Sequence, residues 1–220
     1  MADTTCRFES FDELALNSAG AAALERGDLH TALGAVALSG LLQHAGQIRS
    51  DNSYQQAGTA LWLLGEHHLA AHLWRHAVSE LMRGRITHSD LGGGVHSGLL
   101  LWYAWRRTGE ESFGNDAEAL LLRKWGKRHS FYWPGPIAGY LLGKVDERSL
   151  CTTAEESGSL RPRQLTQAHF YIGVEKHASG DRASAVSHFH EADIAARGLS
   201  LKEVEFFLAG YELTHTAGAA

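Results

Sequence analysis

The sequence predicts an all-α protein assembled from repeated helical hairpins. Only 3 prolines occur among the 220 residues, so long stretches of the chain are free to be helical. Alanine and leucine are abundant whereas valine and isoleucine are sparse, a balance that favours helices over strands. A spaced pattern of small residues also recurs three times along the chain. Such internal repetition is typical of folds made from stacked helical units.

The recurring pattern is a glycine, a second glycine 7 residues later, and an alanine 5 residues after that. The three copies are Gly20, Gly27, Ala32; Gly58, Gly65, Ala70; and Gly173, Gly180, Ala185. The three copies also agree four residues before the first glycine, four residues after the alanine, and three residues beyond that. The positions before the first glycine hold Leu16, Tyr54 and His169; those after the alanine hold Val36, Trp74 and Phe189, followed by Ser39, Ala77 and Ala192.

The spacing has a mechanical explanation in a pair of packed helices. A large residue and a glycine four apart share one face of the first helix, and the glycine lets the second helix approach closely. The second glycine falls at the end of the first helix, where a left-handed residue is needed. Asp28 and Asp181 then cap the second helix of their hairpins, whereas Glu66 in the middle copy offers no such cap.

These positions resemble the tetratricopeptide repeat of bacterial proteins. That repeat has a large residue, a small residue, an alanine, an aromatic residue and a further alanine at the same spacings. The best copy runs from Ala168 to Ala192, with His169 where the repeat usually has tryptophan. The resemblance implies one domain, a right-handed superhelix of antiparallel hairpins (a TPR-like α-solenoid). The expected hairpins are 13–46, 51–84, 95–127, 136–154 and 166–199, with a C-terminal capping helix at 201–214.

The two middle hairpins are degenerate copies. In the first of them we expect a helix at 95–108, an enlarged turn at 110–114, and a second helix at 115–127. In the next, Pro136 suits the first turn of a helix whose short partner is expected at 146–154.

Charge argues against a nucleic-acid partner. The net charge is -5, and nucleic-acid-binding proteins usually carry a basic stripe. The densest basic run comprises Arg123, Lys124, Lys127 and Arg128. Because it comes at the end of a predicted helix, where the helix dipole favours cations, we interpret it as solvated charge.

Two isolated cysteines, Cys6 and Cys151, do not make a disulfide framework. The first residues lack the basic and apolar regions of a signal peptide. No apolar stretch of about 20 residues exists, as a membrane span would need. The sequence therefore predicts a cytoplasmic protein with no membrane association.

Candidate chemical groups point to no enzyme. His68, His72 and His76 lie on one helical face, and we predict an exposed stripe rather than a metal site. Residues 88–90 contain histidine, serine and aspartate, but adjacent residues cannot arrange themselves as a catalytic triad. The glycine-rich segment 91–98 is interpreted as a connector. We therefore expect no catalytic residue, no metal and no cofactor.

The resemblance implies a concave surface that binds another protein or a peptide. Transferring the repeat register places ten residues on that surface: Asn17, Gln55, Thr59, Trp62, His96, Tyr103, Arg106, Arg107, Phe170 and His177. The mixture of aromatic, arginine and amide groups is typical of interaction hot spots. Two alternatives stay open: an immunity protein that neutralises a bacterial toxin by occlusion, and a metal-binding or catalytic helical protein.

Overall fold

A computed structural model describes residues 19–20, 22–34, 50–199 and 203–216. Throughout these ranges the chain forms helices and no β-strand, apart from an isolated bridge between Ser50 and Thr87. The predicted all-α class is therefore confirmed. None of the helices in the described ranges combines the length and apolar character needed to cross a membrane.

Residues 22–25 and 29–34 are helical on either side of a turn. The helices that follow are α1 (Asn52–Leu63), α2 (His67–Met82), α3 (His96–Thr108), α4 (Glu111–Lys124), α5 (Gly135–Leu141), α6 (Glu147–Glu155), α7 (Arg161–Ala178), α8 (Arg182–Ala196) and α9 (Val204–Thr216). Short 3-10 helices occupy Arg128–Phe131 and Gly158–Leu160.

Consecutive helices pack in pairs, as the repeat predicts. The most extensive contacts join α1 to α2, α3 to α4, and α7 to α8. Neighbouring pairs also touch, because α2 packs on α3, and α3 packs on α7. Three hairpins are therefore closely packed, and most buried apolar residues form one large cluster, beside a smaller cluster around Leu24.

Glycine and an aromatic ring meet across two of the predicted hairpins. A side chain added at Gly58 would collide with the indole of Trp74. One added at Gly173 would lie 2.7 Å from the ring of Phe189. Both aromatic residues are fully buried. The contacts confirm the register predicted from the spacing, in which the glycine admits the large residue of the second helix.

The turns also follow the prediction. Gly27, Gly65 and Gly180 all have positive φ, between 69° and 87°. The carboxylates of Asp28 and Asp181 each accept a hydrogen bond from the backbone N–H three residues on, at 3.0 and 3.1 Å. Glu66 makes no side-chain cap, as predicted.

Several predicted boundaries were wrong. Helix α4 begins at Glu111 rather than at residue 115, so the expected enlarged turn at 110–114 does not exist. The reason is local: Gly109 ends α3 with φ of 74°, and Glu111 then favours the positive end of a new helix. The hairpin expected at 95–127 ends its second helix at Lys124, and the one expected at 166–199 begins at Arg161. The expected hairpin 13–46 lies partly outside the described residues.

Candidate functional site

Most residues predicted to bind a partner lie in the core. Six of the ten are buried: Gln55, Thr59, Trp62, His96, Tyr103 and Phe170. Arg106, Arg107 and His177 are half-buried, and Asn17 lies outside the described residues. Trp62 is 1% exposed and packs against the rings of Trp74 and Tyr103, at centroid distances of 5.7 and 4.7 Å. The buried six therefore pack inside the protein and present no surface to a partner.

Several of these side chains converge on the final helix. Glu205 of α9 is fully buried and accepts hydrogen bonds from three residues of α3 and α7. His96 Nε2 lies 2.7 Å from its carboxylate, Gln167 Nε2 lies 3.1 Å away, and the Tyr171 hydroxyl lies 3.2 Å away. This arrangement satisfies a carboxylate that burial would otherwise make very costly.

The His96–Glu205 pair is an internal ion pair. Burial by itself lowers the pKa of His96, but the Glu205 carboxylate outweighs burial and raises that pKa to about 9. Burial raises the pKa of Glu205, and the His96 charge and hydrogen bond reverse this, so the pKa lies below its usual value. Both groups are therefore charged at neutral pH.

A second carboxylate of α9 enters the same region two turns later. Glu212 is buried and accepts a 2.6 Å hydrogen bond from the Tyr103 hydroxyl. Arg107 Nε lies 3.0 Å from the same carboxylate. Burial raises the pKa of Glu212 in spite of Arg107. Arg107 also donates to the ring of His177, so it is engaged on both sides.

Contacts of α9 extend to the first hairpins. Phe207 packs against an apolar cluster that includes Leu24 and Ala60. Tyr211 lies 2.7 Å from His67 Nε2, at the start of α2. Since α9 also packs on α1, α7 and α8, it fills the face on which we predicted a partner to bind. Its buried carboxylates were missed because acidic residues on an amphipathic helix normally indicate a solvent-facing side.

Arg106 is held by a neighbour on its own helix and by a residue of α7. Its guanidinium binds Glu175 of α7 through two hydrogen bonds of 2.8 and 2.6 Å. The same group lies 4.3 Å from the ring centroid of Trp105. Trp102 Nε1 donates to Glu175 as well, at 2.8 Å. Such a bidentate, stacked arginine is a structural clamp between α3 and α7.

The segment 88–94 caps a helix and forms no catalytic triad. The Asp90 carboxylate accepts hydrogen bonds from the backbone N–H groups of Gly94 and His96, at 3.0 and 3.1 Å. The backbone N–H of Ser89 donates to the buried Asp51, at 2.8 Å. Backbone N–H groups of the glycine-rich turn before α3 are therefore bonded to carboxylates of the protein itself.

The histidine stripe of α2 is exposed, as predicted. Its three rings point to different neighbours: His68 lies 3.7 Å from Glu110, while His72 packs on Phe113 and His76 on Tyr54. Within the ranges that the structure describes, no group of three or more histidine, cysteine or acidic residues is placed to hold a metal.

A different surface combines cationic side chains with exposed apolar side chains. Between residues 119 and 145 the chain has five lysines and arginines and no acidic residue, although its net charge is -5. We call the outer part of this segment the basic aromatic surface; it comprises Leu122, Arg123, Lys127, Arg128, Phe131 and Tyr132. Phe131 is 76% exposed and Leu122 50% exposed. In the described part of the chain, none of its three cations forms an ion pair.

The basic aromatic surface is held firmly from beneath. Ser130 is buried, and its hydroxyl donates to the Lys127 carbonyl at 2.7 Å. Gly135 packs directly on the Ser130 backbone, where a side chain would not fit. Trp133 Nε1 donates to Gln167 of α7 at 2.5 Å. Phe131 is therefore presented to solvent by a short helix that is anchored to the core.

The loop before α3 adjoins this surface. A side chain added at Gly93 would lie 3.3 Å from His129. Leu91, in the same loop, is 71% exposed. The loop that carries Leu91 therefore runs beside the 3-10 helix that carries Phe131. Exposed apolar side chains grouped in this way usually mark a contact site.

The chain matches no protein-family model and shows no significant similarity to a curated protein.

Proposed function

We propose that this protein is a binding module built of tetratricopeptide-like hairpins, and that it docks another protein on the basic aromatic surface. The observation that carries the proposal is the placement of Phe131. Its ring is 76% exposed beside Lys127 and Arg128 on an anchored segment. An exposed aromatic residue flanked by arginine has the composition of an interaction hot spot.

The expected partner has an acidic surface with an apolar pocket. The apolar pocket would receive Phe131, and the acidic rim would pair with Arg123, Lys127 and Arg128. Because the segment is held in place before binding, little conformational entropy would be lost on association. The proposed function is still the binding of another protein. The proposed surface, however, lies at the end of α4 and on the 3-10 helix that follows it, and not on the face that α9 fills.

The test is capture of a partner from an extract of the source cells with matched variants. We expect the immobilised wild-type chain to retain a stoichiometric protein. Phe131→Ala and Arg128→Glu should each weaken its binding by about 30-fold or more, because hot-spot losses reach 2 kcal/mol. Ile194→Ala is the control, since Ile194 is also an exposed apolar residue, at 52%, but lies on α8.

Two results would contradict the proposal. One is a partner that all three variants retain equally. The other is a wild-type chain that binds phosphatidylglycerol vesicles or DNA through Phe131 and Arg128 and retains no protein. If the captured protein is an enzyme or toxin whose activity is lost on binding, the module is an inhibitor; several weak partners would indicate an adaptor.

A further inference from the structure

Two histidines face each other across the last hairpin. His169 of α7 and His188 of α8 place their Nδ1 atoms 3.0 Å apart. Their rings are stacked with centroids 5.3 Å apart and an interplanar angle of 30°. Both residues are half-buried. Each ring is therefore fixed by a partner on the other helix of the same hairpin.

The pair is peculiar to this hairpin. In the register that aligns Gly173 with Gly58, His169 corresponds to Tyr54 and His188 to Leu73. The second hairpin thus carries an aromatic and an aliphatic residue at the corresponding positions. Packing alone does not call for two imidazoles at these positions.

The surroundings orient His188 in the manner of a metal ligand. Its second nitrogen, Nε2, lies 3.5 Å from Glu147 of α6, and Glu147 is in turn held by Lys176 at 2.9 Å. A carboxylate on the far nitrogen of an imidazole is the usual outer partner of a metal-bound histidine.

A solvent-open cavity adjoins the pair. It has a volume of about 270 Å³ and is lined by His169 of α7 and by Glu191, Ile194 and Ala195 of α8, with Arg161 and Leu165 at its other side. The cavity opens His169 to solvent, while His188 contributes to the pair from outside the cavity lining.

We propose that His169 and His188 form a two-histidine site for a divalent transition-metal ion such as Ni²⁺ or Cu²⁺. Metal–nitrogen bonds of about 2.1 Å at a right angle separate the two nitrogens by about 3.0 Å, whereas a tetrahedral angle separates them by about 3.4 Å. The 3.0 Å spacing of the Nδ1 atoms, at which one neutral imidazole donates a hydrogen bond to the other in the metal-free protein, also fits two bonds to one ion at a right angle. Water completes the coordination shell, and the ion clamps α7 to α8.

The exposed stripe of α2 must be removed from the test, because histidines four apart on a helix can also bind metals. The starting protein is therefore the full chain carrying His68→Ala, His72→Ala and His76→Ala. Titration of this protein with NiCl₂ in a calorimeter should show one ion bound per chain.

His169→Tyr and His188→Leu are the matched variants, since the second hairpin carries these residues at the same positions. Each leaves one imidazole and should weaken Ni²⁺ binding by at least about 10-fold. His190→Ala, an exposed histidine two residues from His188 on α8, should leave the affinity within about twofold. Circular dichroism of each variant confirms that it is folded.

The proposal is overturned if the stripe-free chain binds no Ni²⁺, or if a folded His169→Tyr or His188→Leu variant binds as tightly as its parent. Binding that depends on His190 in place of His169 would overturn it equally.

Discussion

Glu205 shows how a charge is tolerated at the centre of this protein. Its carboxylate is fully buried, yet it is met by a cationic imidazole, an amide and a phenol from two other helices. Removing one partner of such a group leaves an uncompensated buried charge and costs several kcal/mol. Glu205 and His96 should therefore be judged together as one unit.

The pH dependence of stability follows from the shifted pKa values of that unit. His96 titrates at about 9 in the folded chain and near 6.5 when unfolded, so its contribution is complete below pH 6.5 and is lost as the pH rises through 9. Glu205 has a lowered pKa, so its contribution is present above about pH 4.5 and is lost at lower pH. The pair is most favourable between these two limits.

We expect the free energy of unfolding to fall between pH 7 and pH 9 by at most about 3 kcal/mol through His96. The measurement is urea unfolding at a series of pH values, for the wild type and for His96→Gln. The variant should be less stable at pH 7 and should lack this slope. His68→Gln, at an exposed position, serves as the control. A His96→Gln variant that keeps the wild-type slope would show that another group is responsible.

At the scale of elements, glycine decides how closely two helices of a hairpin pack. Gly173 faces Phe189, and Gly58 faces Trp74, with no room for a side chain at either glycine. Gly114 repeats the device in α4, where it faces Trp105 of α3. These contacts let the paired helices approach closely. The rings of Trp74 and Phe189 are fully buried in this way, and Trp105 is half-buried.

Gly173→Leu should push α7 and α8 apart and lower the free energy of unfolding by about 1–3 kcal/mol or more. Gly210→Ala is the matched control, because Gly210 lies inside α9 with open space around its Cα and an ordinary backbone conformation. There the added methyl group should stabilise the helix by about 0.5–1 kcal/mol. Thermal melting of both variants tests this; an unchanged melting temperature for Gly173→Leu would contradict the glycine–aromatic register.

Prediction from the sequence succeeded where the determinants were local. The turn glycines, the aspartate caps and the facing of Gly173 by Phe189 all follow from spacing within one hairpin. The predicted start of α4 was wrong. The left-handed Gly109 reverses the chain within a short turn, so the next helix already begins at the acidic Glu111. Prediction from the sequence also placed Tyr103 and Trp62 on a binding surface. Tyr103 is buried against Glu212 of α9, and Trp62 is buried against Tyr103. No spacing rule within one hairpin links segments so far apart in the sequence.

At the scale of the whole molecule, α9 connects the beginning of the described chain to its end. It touches the first hairpin through Phe207, α3 through Glu205 and Glu212, and α7 through Gln167. It therefore acts as an internal part of the hairpin stack in addition to covering the last hairpin. A partner that used the same face would have to displace a helix whose two carboxylates are buried.

This arrangement leaves the basic aromatic surface, and not the face covered by α9, as the proposed docking surface. Arg106 and Arg107 are engaged by Glu175 and Glu212, whereas Arg128 and Phe131 face solvent. The surface that remains available is thus distinct from the one that the repeat register indicates.

Amide hydrogen exchange measures directly whether α9 is an integral part of the fold. Peptides covering Val204–Thr216, His96–Thr108 and Arg161–Ala178 would be followed by mass spectrometry at pH 7. If α9 fills the face formed by the earlier hairpins, its slowest amides should exchange with the same free energy as those of α3 and α7, because they open only on global unfolding. Rapid exchange of α9 while α3 and α7 stay protected would contradict the account and would leave that face open to a partner.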